Sequence, residues 1–233
     1  MTTFAAVLTD LLRRDPGRPL VTFYDDASGE RVELSVATFA NWVAKTSSLL
    51  VEELDGERGG SIRIDLPTHW LAPVFLGAAW TVGLVVTQDD EPDIVVCGPD
   101  SLTRWQSHPA ALACSLRPLG TRFVEPLPAG VRDFGVEVWS QPDAFVPWDP
   151  PGPEDLAVEG ATHAALFAER GAREPGCRLL TTANPASPDG LTSFTGPLLA
   201  GGSTVWVRHP DPTTWQHRYD EERATASDQP ARS

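Results

Sequence analysis

Along the first dozen residues, Phe4, Val7, Leu8, Leu11 and Leu12 recur at the three-and-four spacing of an α-helix, and the pattern stops before Pro16. Leu20 to Tyr24, rich in β-branched and aromatic residues, reads as a strand, and Arg31 to Leu34 as a second, short one. The stretch Asp25-Asp26-Ala27-Ser28-Gly29 between them is turn material and predicts a hairpin. Ser35 stands where an N-cap belongs, ahead of an apolar stripe formed by Val36, Phe39, Trp42, Val43, Thr46, Leu49 and Leu50. That helix ends before Gly56. The rhythm then becomes strand, helix, strand: Ser61 to Leu66, a helix begun near Pro67-Thr68, Val82 to Thr87 after a glycine-rich exit, then Ile94 to Cys97. Parallel strands joined by crossover helices are the economical interpretation.

From Pro99 to Pro153 the chain is rich in proline, with short strands predicted at Ala111 to Leu116 and Val136 to Trp139. Leu156 to Arg170 reads as a helix ended by Gly171. A strand at Arg178 to Thr182, a helix near Leu191 to Leu199 and a strand at Ser203 to Val207 follow. After Pro210 the chain turns polar. Trp215, Tyr219 and Asp220-Glu221-Glu222 predict a last helix, and Ala224 to Ser233 has the composition of a disordered tail. The expected fold class is α/β, a mostly parallel sheet with flanking helices and an N-terminal β-hairpin. Residues 1–208 form its domain, and 209–233 a polar C-terminal helix and tail, partly disordered.

With 233 residues, 41% of them hydrophobic, the chain can bury one sizeable core. A formal net charge of -14 repels nucleic acid phosphates and anionic lipid headgroups, so neither is an expected partner. The uncharged run from Trp70 to Val86 approaches the length of a membrane span, but Pro73, Gly77 and Gly83 mark it as a buried helix followed by a strand. Cys97, Cys114 and Cys177 are widely spaced and odd in number, the pattern of reduced thiols. The start of the chain lacks the features of a secretory signal, which makes the cytoplasm the expected location.

Little of the remaining chemistry stands out. Lys45 is the single lysine and falls within a predicted helix. His69, His108, His163, His209 and His217 lack metal-binding spacing and read as surface or cap residues, so no metal is expected. Asp89-Asp90-Glu91 reads as a solvated loop. The candidate ligand site is Thr181, Thr182, Asn184, Ser187 and Asp189, where a strand meets a helix, since ligands of open α/β sheets bind at the carboxyl ends of strands.

Several segments resemble the N-terminal half of the adenylate-forming (AMP-binding, acyl-CoA synthetase-like) family. Glu33-Leu34-Ser35-Val36-Ala37-Thr38-Phe39 is similar to its "L-T-Y-x-E-L" helix start, and Phe75-Leu76-Gly77-Ala78-Ala79-Trp80-Thr81-Val82-Gly83 to its "L-G-x-x-K-A-G" helix exit. Arg178 to Thr182, Gly190 and Pro197-Leu198-Leu199-Ala200-Gly201-Gly202-Ser203 resemble the strand, loop and "P-L-L-x-G-G" turn beyond the family's phosphate-binding loop. Asp155-Leu156-Ala157 and Thr162-His163-Ala164-Ala165-Leu166 resemble the flanks of that loop, yet only Val158-Glu159-Gly160-Ala161 lie between them. About a dozen residues, with the backbone amides and lysine that hold triphosphate, have no counterpart. Ser187 falls where the family often has histidine. The family's adenine- and ribose-binding segments and its C-terminal catalytic domain have no counterpart either.

The resemblance implies a truncated adenylate-forming N-domain, bacterial in origin, without bound cofactor. The expected function is a pseudoenzyme that binds a small acyl or nucleotide-like ligand, or a protein partner. A homodimer is expected where apolar surface of the sheet is left bare. The alternatives are a carboxylate-activating, acid–thiol ligase-like enzyme with its missing groups supplied in trans, and a scaffold without a small-molecule site.

Overall fold

The computed structural model describes residues 2–168 and 173–228. Helix α1 (Phe4–Arg14) opens with Thr3 as its N-cap and carries Arg13 and Arg14 in its last turn, where cations complement the helix dipole. It buries Phe4, Leu8 and Leu11, and each such side chain removed from water contributes roughly 1.5–3 kcal/mol. Strands β1 (Pro19–Asp25) and β2 (Glu30–Ser35) form the expected antiparallel hairpin, closed by Gly29 at φ 76°. Helix α2 (Val36–Glu52) is capped by Ser35, whose hydroxyl accepts from the Thr38 amide at 3.1 Å.

The chain then leaves for a second sheet. Strand β3 (Ser61–Asp65) leads to α3 (Leu71–Val82), which is buried on every side except at Thr81 and ends at Gly83 in the left-handed conformation. Gly77 lets this helix approach its neighbours, because a Cβ there would lie 2.9 Å from both Phe4 and Val43. Strands β4 (Val85–Val86) and β5 (Ile94–Cys97), the short helix α4 (Leu102–Trp105), strands β6 (Ala111–Ala113) and β7 (Arg132–Asp133) and helix α5 (Phe134–Glu137) follow. Val136 to Trp139 is thus helical rather than a strand. Asp133 caps the turn by accepting from the Gly135 amide at 2.9 Å, and a 3-10 turn, Val138–Ser140, continues it.

The helix predicted from Leu156 to Arg170 is corrected in its first half. Strand β8 (Leu156–Val158) turns at Glu159-Gly160 into β9 (Ala161–Thr162), and only then does α6 (His163–Ala168) begin. Gly160 has φ 75°, which a helix interior does not accommodate, and Val158 pairs with Val86 of β4. Glu169 to Ala172, including the predicted stop at Gly171, lie outside the described residues. Strand β10 (Arg178–Thr181), α7 (Thr192–Leu199), β11 (Ser203–Arg208) and α8 (Trp215–Glu221) form where expected. Within the predicted disordered tail, Ala226–Ser227 forms β12 along β10, while 229–233 lie outside the described residues.

The strands build two sheets. The first runs β12-β10-β11-β1-β2 and the second β7-β6-β5-β3-β4-β8-β9. All pairings are parallel except the hairpins β1/β2 and β8/β9. Trp80 of α3 joins the two halves by packing against Phe4, Phe167 and Phe194, and its indole N–H donates to the Ala157 carbonyl at 2.9 Å. The expected α/β class is therefore the observed one, with the core continuous across both sheets.

Candidate functional site

The carboxyl ends of β10, β3 and β4 converge, bringing loops from both sheets together. From the first sheet comes the loop after β10, anchored by Asn184: its amide donates to the Leu66 carbonyl at 2.8 Å and accepts from the Ala186 N–H at 3.0 Å. The Thr68 hydroxyl donates to the Thr182 carbonyl at 3.2 Å, and Gln88 reaches the Ala186 carbonyl. Between this loop and the β8/β9 hairpin lies a cavity of about 270 Å³. Val86, Val158 and Leu191 give it apolar walls, and Gln88, Glu159 and Ser187 supply its polar groups.

The five residues picked out from sequence have different placements. Ser187 lines the cavity, while its hydroxyl donates to the Asn184 carbonyl and accepts from the Gly190 amide. Thr181 is buried, with its hydroxyl accepting from the Ala183 N–H, and Asn184 and Thr182 tie the loop to the second sheet. Asp189 is exposed at the loop's tip. Gln88 and Glu159 were not legible as site residues, because Glu159 faces the cavity only once the hairpin has formed.

The β8/β9 hairpin has the wrong polarity for an anion-binding loop. The Glu159 N–H donates to the Val86 carbonyl at 3.1 Å, which removes a donor, and the Glu159 carboxylate accepts from the Thr87 hydroxyl. A nest for anions needs successive free amides. Lys45 is committed elsewhere, pairing with Asp143 at 3.1 Å and donating to the Gln141 carbonyl. Asp90 of the Asp89-Asp90-Glu91 loop pairs with Arg63 and Arg104. Among the described residues no group of three His, Cys, Asp or Glu side chains is placed to hold a metal ion, and no helix is long and apolar enough to cross a membrane. Burial, with Asp65 nearby, pushes the Cys97 thiol up to about 12, so it is no nucleophile at neutral pH.

Of the five histidines expected at surface or cap positions, two are buried. His69, just after β3, is buried against Phe23 and Trp70; its Nδ1 accepts from the Leu71 amide, and its Nε2 has no partner among the described residues. Burial, reinforced by the Arg208 cation and opposed by Asp25, holds its pKa down at about 3. His163 is also sealed, with neither ring nitrogen partnered among the described residues, and burial lowers its pKa against the opposing Asp155.

A histidine depressed in the folded state favours folding fully only above its unfolded value of about 6.5, and that contribution falls away between there and about 3. Stability is therefore expected to decline as pH falls from 6.5 towards 4. The substitution His69→Phe flattens that slope in denaturant titrations at several pH values. A slope unchanged in the variant would show that His69 is not its source.

No protein-family model matches the chain. A Mycobacterium tuberculosis (strain H37Rv) protein, called "TIGR03089 family protein", is 39% identical over 244 aligned positions, covering 96% of this chain and 97% of that protein. Among solved structures, a Brucella canis acyl-CoA synthetase superposes with TM-score 0.76 at 18% identity, over 95% of this chain and 46% of its own. A benzoate CoA ligase from Burkholderia xenovorans LB400 gives 0.74 at 17% identity, covering 97% and 50% of the two chains. MatB from Rhodopseudomonas palustris gives 0.71 at 19%, covering 95% and 48%. The chain thus spans about half the length of these structures. At such identities the likeness is one of fold, whereas the match to the mycobacterial protein runs through nearly the whole of both sequences. This chain belongs to the TIGR03089 family and has the fold of the N-terminal domain of adenylate-forming enzymes.

Proposed function

We propose that the chain is a non-catalytic relative of the adenylate-forming enzymes that binds a small uncharged acyl group in the cavity between the β8/β9 hairpin and the loop after β10. One observation carries this reading: the turn at the phosphate-loop position offers a carboxylate, Glu159, and spends its own amide on Val86. A triphosphate there would meet repulsion in place of donors. The apolar walls suit a short acyl chain, the volume lies near the lower end for ligand sites, and Gln88 can donate to a carbonyl oxygen. The proposed setting is the cytoplasm, where the three unpaired thiols stay reduced.

Calorimetry and thermal melting with an uncharged hexanoyl thioester, against Mg-ATP, test this reading. At ten times its Kd the thioester is expected to raise the melting temperature by about 3–6 °C, and Mg-ATP to leave it unchanged. Val158→Trp fills the cavity and abolishes the thioester shift. A shift that persists in the filled variant would move the ligand elsewhere, and a shift with Mg-ATP would overturn the reading.

The likeness to acyl-CoA synthetase structures favours a second reading, a carboxylate-activating enzyme that takes its missing groups from another polypeptide. Carboxylate-dependent exchange of pyrophosphate into ATP, well above background with the purified chain or with a candidate partner polypeptide, would establish it.

A further inference from the structure

Seven large hydrophobic side chains are exposed among the described residues, and all but Leu156 of β8 fall in two adjoining stretches of chain. Leu119, Val124, Val136 and Trp139 belong to one region at the β6 and β7 end of the second sheet, and Val146 and Trp148 to the proline-rich segment that follows it. The first region holds an open groove of about 1020 Å³. Arg117, Arg122, Phe123, Val124, Leu127 and Trp139 line it. Neither arginine has an ion-pair partner among the described residues, whereas most arginines of the chain are paired. Of the two acids in the groove, Asp133 is held by the Phe123 and Gly135 amides and Glu125 is exposed.

The proline-rich segment is built as a fixed strap. Lys45 pairs with Asp143 at its start, Arg58 pairs with Asp149 at 2.9 Å, and Phe145 packs inward against the main core. Between those anchors Val146 and Trp148 point outward, at 87% and 102% of full exposure. Residues 142–155 carry Asp143, Asp149, Glu154 and Asp155 and no lysine or arginine; Lys45 and Arg58 pair with all of these acids except Glu154. A tryptophan has only about two side-chain torsions to fix on docking, and buried tryptophans dominate interface energies.

We infer that this strap is the complement of the groove on a second copy of the chain, with Trp148 entering beside Trp139 and Glu154, the strap carboxylate without an ion-pair partner among the described residues, facing Arg117 and Arg122. Glu154 and the two arginines are opposite in charge, and each surface presents apolar side chains that are exposed among the described residues. Between Trp139 and Trp148 the chain reaches at most about 30 Å, so groove and strap lie side by side. Two copies related by a twofold axis near Ser140–Pro142 therefore place each strap in the other's groove, an isologous and closed arrangement. This interface is independent of the acyl cavity, which is formed by other loops.

Analytical ultracentrifugation tests it. The wild type is expected to sediment as a dimer at micromolar concentration. Trp148→Asp, and separately the pair Arg117→Glu with Arg122→Glu, weaken the dimer at least about 30-fold, the scale of a lost hot spot. Circular dichroism of the folded state is unchanged in both variants, because these side chains sit at the surface, and melting falls only by what loss of the dimer removes. Mixing the strap variant with the groove variant leaves one intact strap–groove contact, so the mixture sediments faster than either alone. A wild type monomeric throughout the micromolar range would overturn the proposal and leave the groove to a different protein. A dimer indifferent to both variants, or a mixture no faster than its components, would also overturn it.

Discussion

Gly190→Ala destabilises the protein by about 3 kcal/mol or more, the upper range for overpacking. A Cβ at this position would sit 1.9 Å from the Asn184 carbonyl oxygen and 2.8 Å from the Ser187 hydroxyl. The first obstacle is backbone, so no rotamer change relieves it. Relief requires the loop to open, breaking the bonds from the Gly190 amide to Ser187 and from Asn184 to Leu66 that hold it against the second sheet. Gly29→Ala is the matched control. Its glycine has φ 76° but nothing within 4 Å, so the cost there is conformational and about 1 kcal/mol. Urea titration measures both, and hydrogen exchange through residues 184–190 reports whether the loop has opened. Equal costs for the two substitutions would refute the steric argument.

Glu222→Ala is expected to cost about 3 kcal/mol, because it leaves guanidinium groups without their counter-charge in a mostly buried place. The Glu222 side chain is 6% exposed and meets Arg178, Arg31 and the Tyr24 hydroxyl, joining the C-terminal segment to β1, β2 and β10. Arg178 also donates to Ser203 and Thr22, so it is fixed from several sides. Burial alone would raise the Glu222 pKa, but the hydrogen bonds from Tyr24, Arg178 and Arg31 together hold it below the ordinary value of 4.5. Its stabilisation is therefore fully present above about 4.5 and lost as pH falls through the lower folded-state value. Glu222→Gln keeps the shape and removes the charge, and is expected to cost less than alanine while erasing this arm of the acid transition. Denaturant midpoints from pH 3 to pH 7 provide the check. A loss in Glu222→Ala no larger than that of an exposed pair such as Arg14–Asp10 would sink the prediction.

The elements legible in the sequence are those whose signals are local. Ser35 announces α2 because its capping bond lies within one turn, and Asp25 to Gly29 announces the hairpin because the turn residues set the reversal. The β8/β9 hairpin was hidden for the opposite reason. Leu156, Ala157, Ala161, Ala164 and Ala165 fit a helical repeat, and the partner that makes Val158 a strand is Val86, remote in sequence. The second half of that prediction survives as α6, which starts at His163. Ala226–Ser227 escaped because two residues carry no periodicity, and it is β10 that gives them a place. His69 reads as a surface or cap residue; it does accept from the Leu71 amide at the start of α3, but Phe23, from the other sheet, closes over it and buries it. The site shows the same division: Ser187 could be placed at the end of a strand from its own neighbours, whereas Gln88 and Glu159 meet it only through the pairing of β4 with β8.

The interleaving of the two sheets also constrains the order in which the chain can fold during synthesis. The second sheet is contiguous from Ser61 to Thr162, so it has all its strands as soon as that stretch has left the ribosome. β1 is made early, yet its parallel neighbour β11 aligns Val21 with Thr204. A lone two-stranded ribbon is marginal in water, so the nascent hairpin waits with one edge open while the rest is translated. During that interval it is the part of the molecule most vulnerable to pairing with another chain, and to chaperone capture.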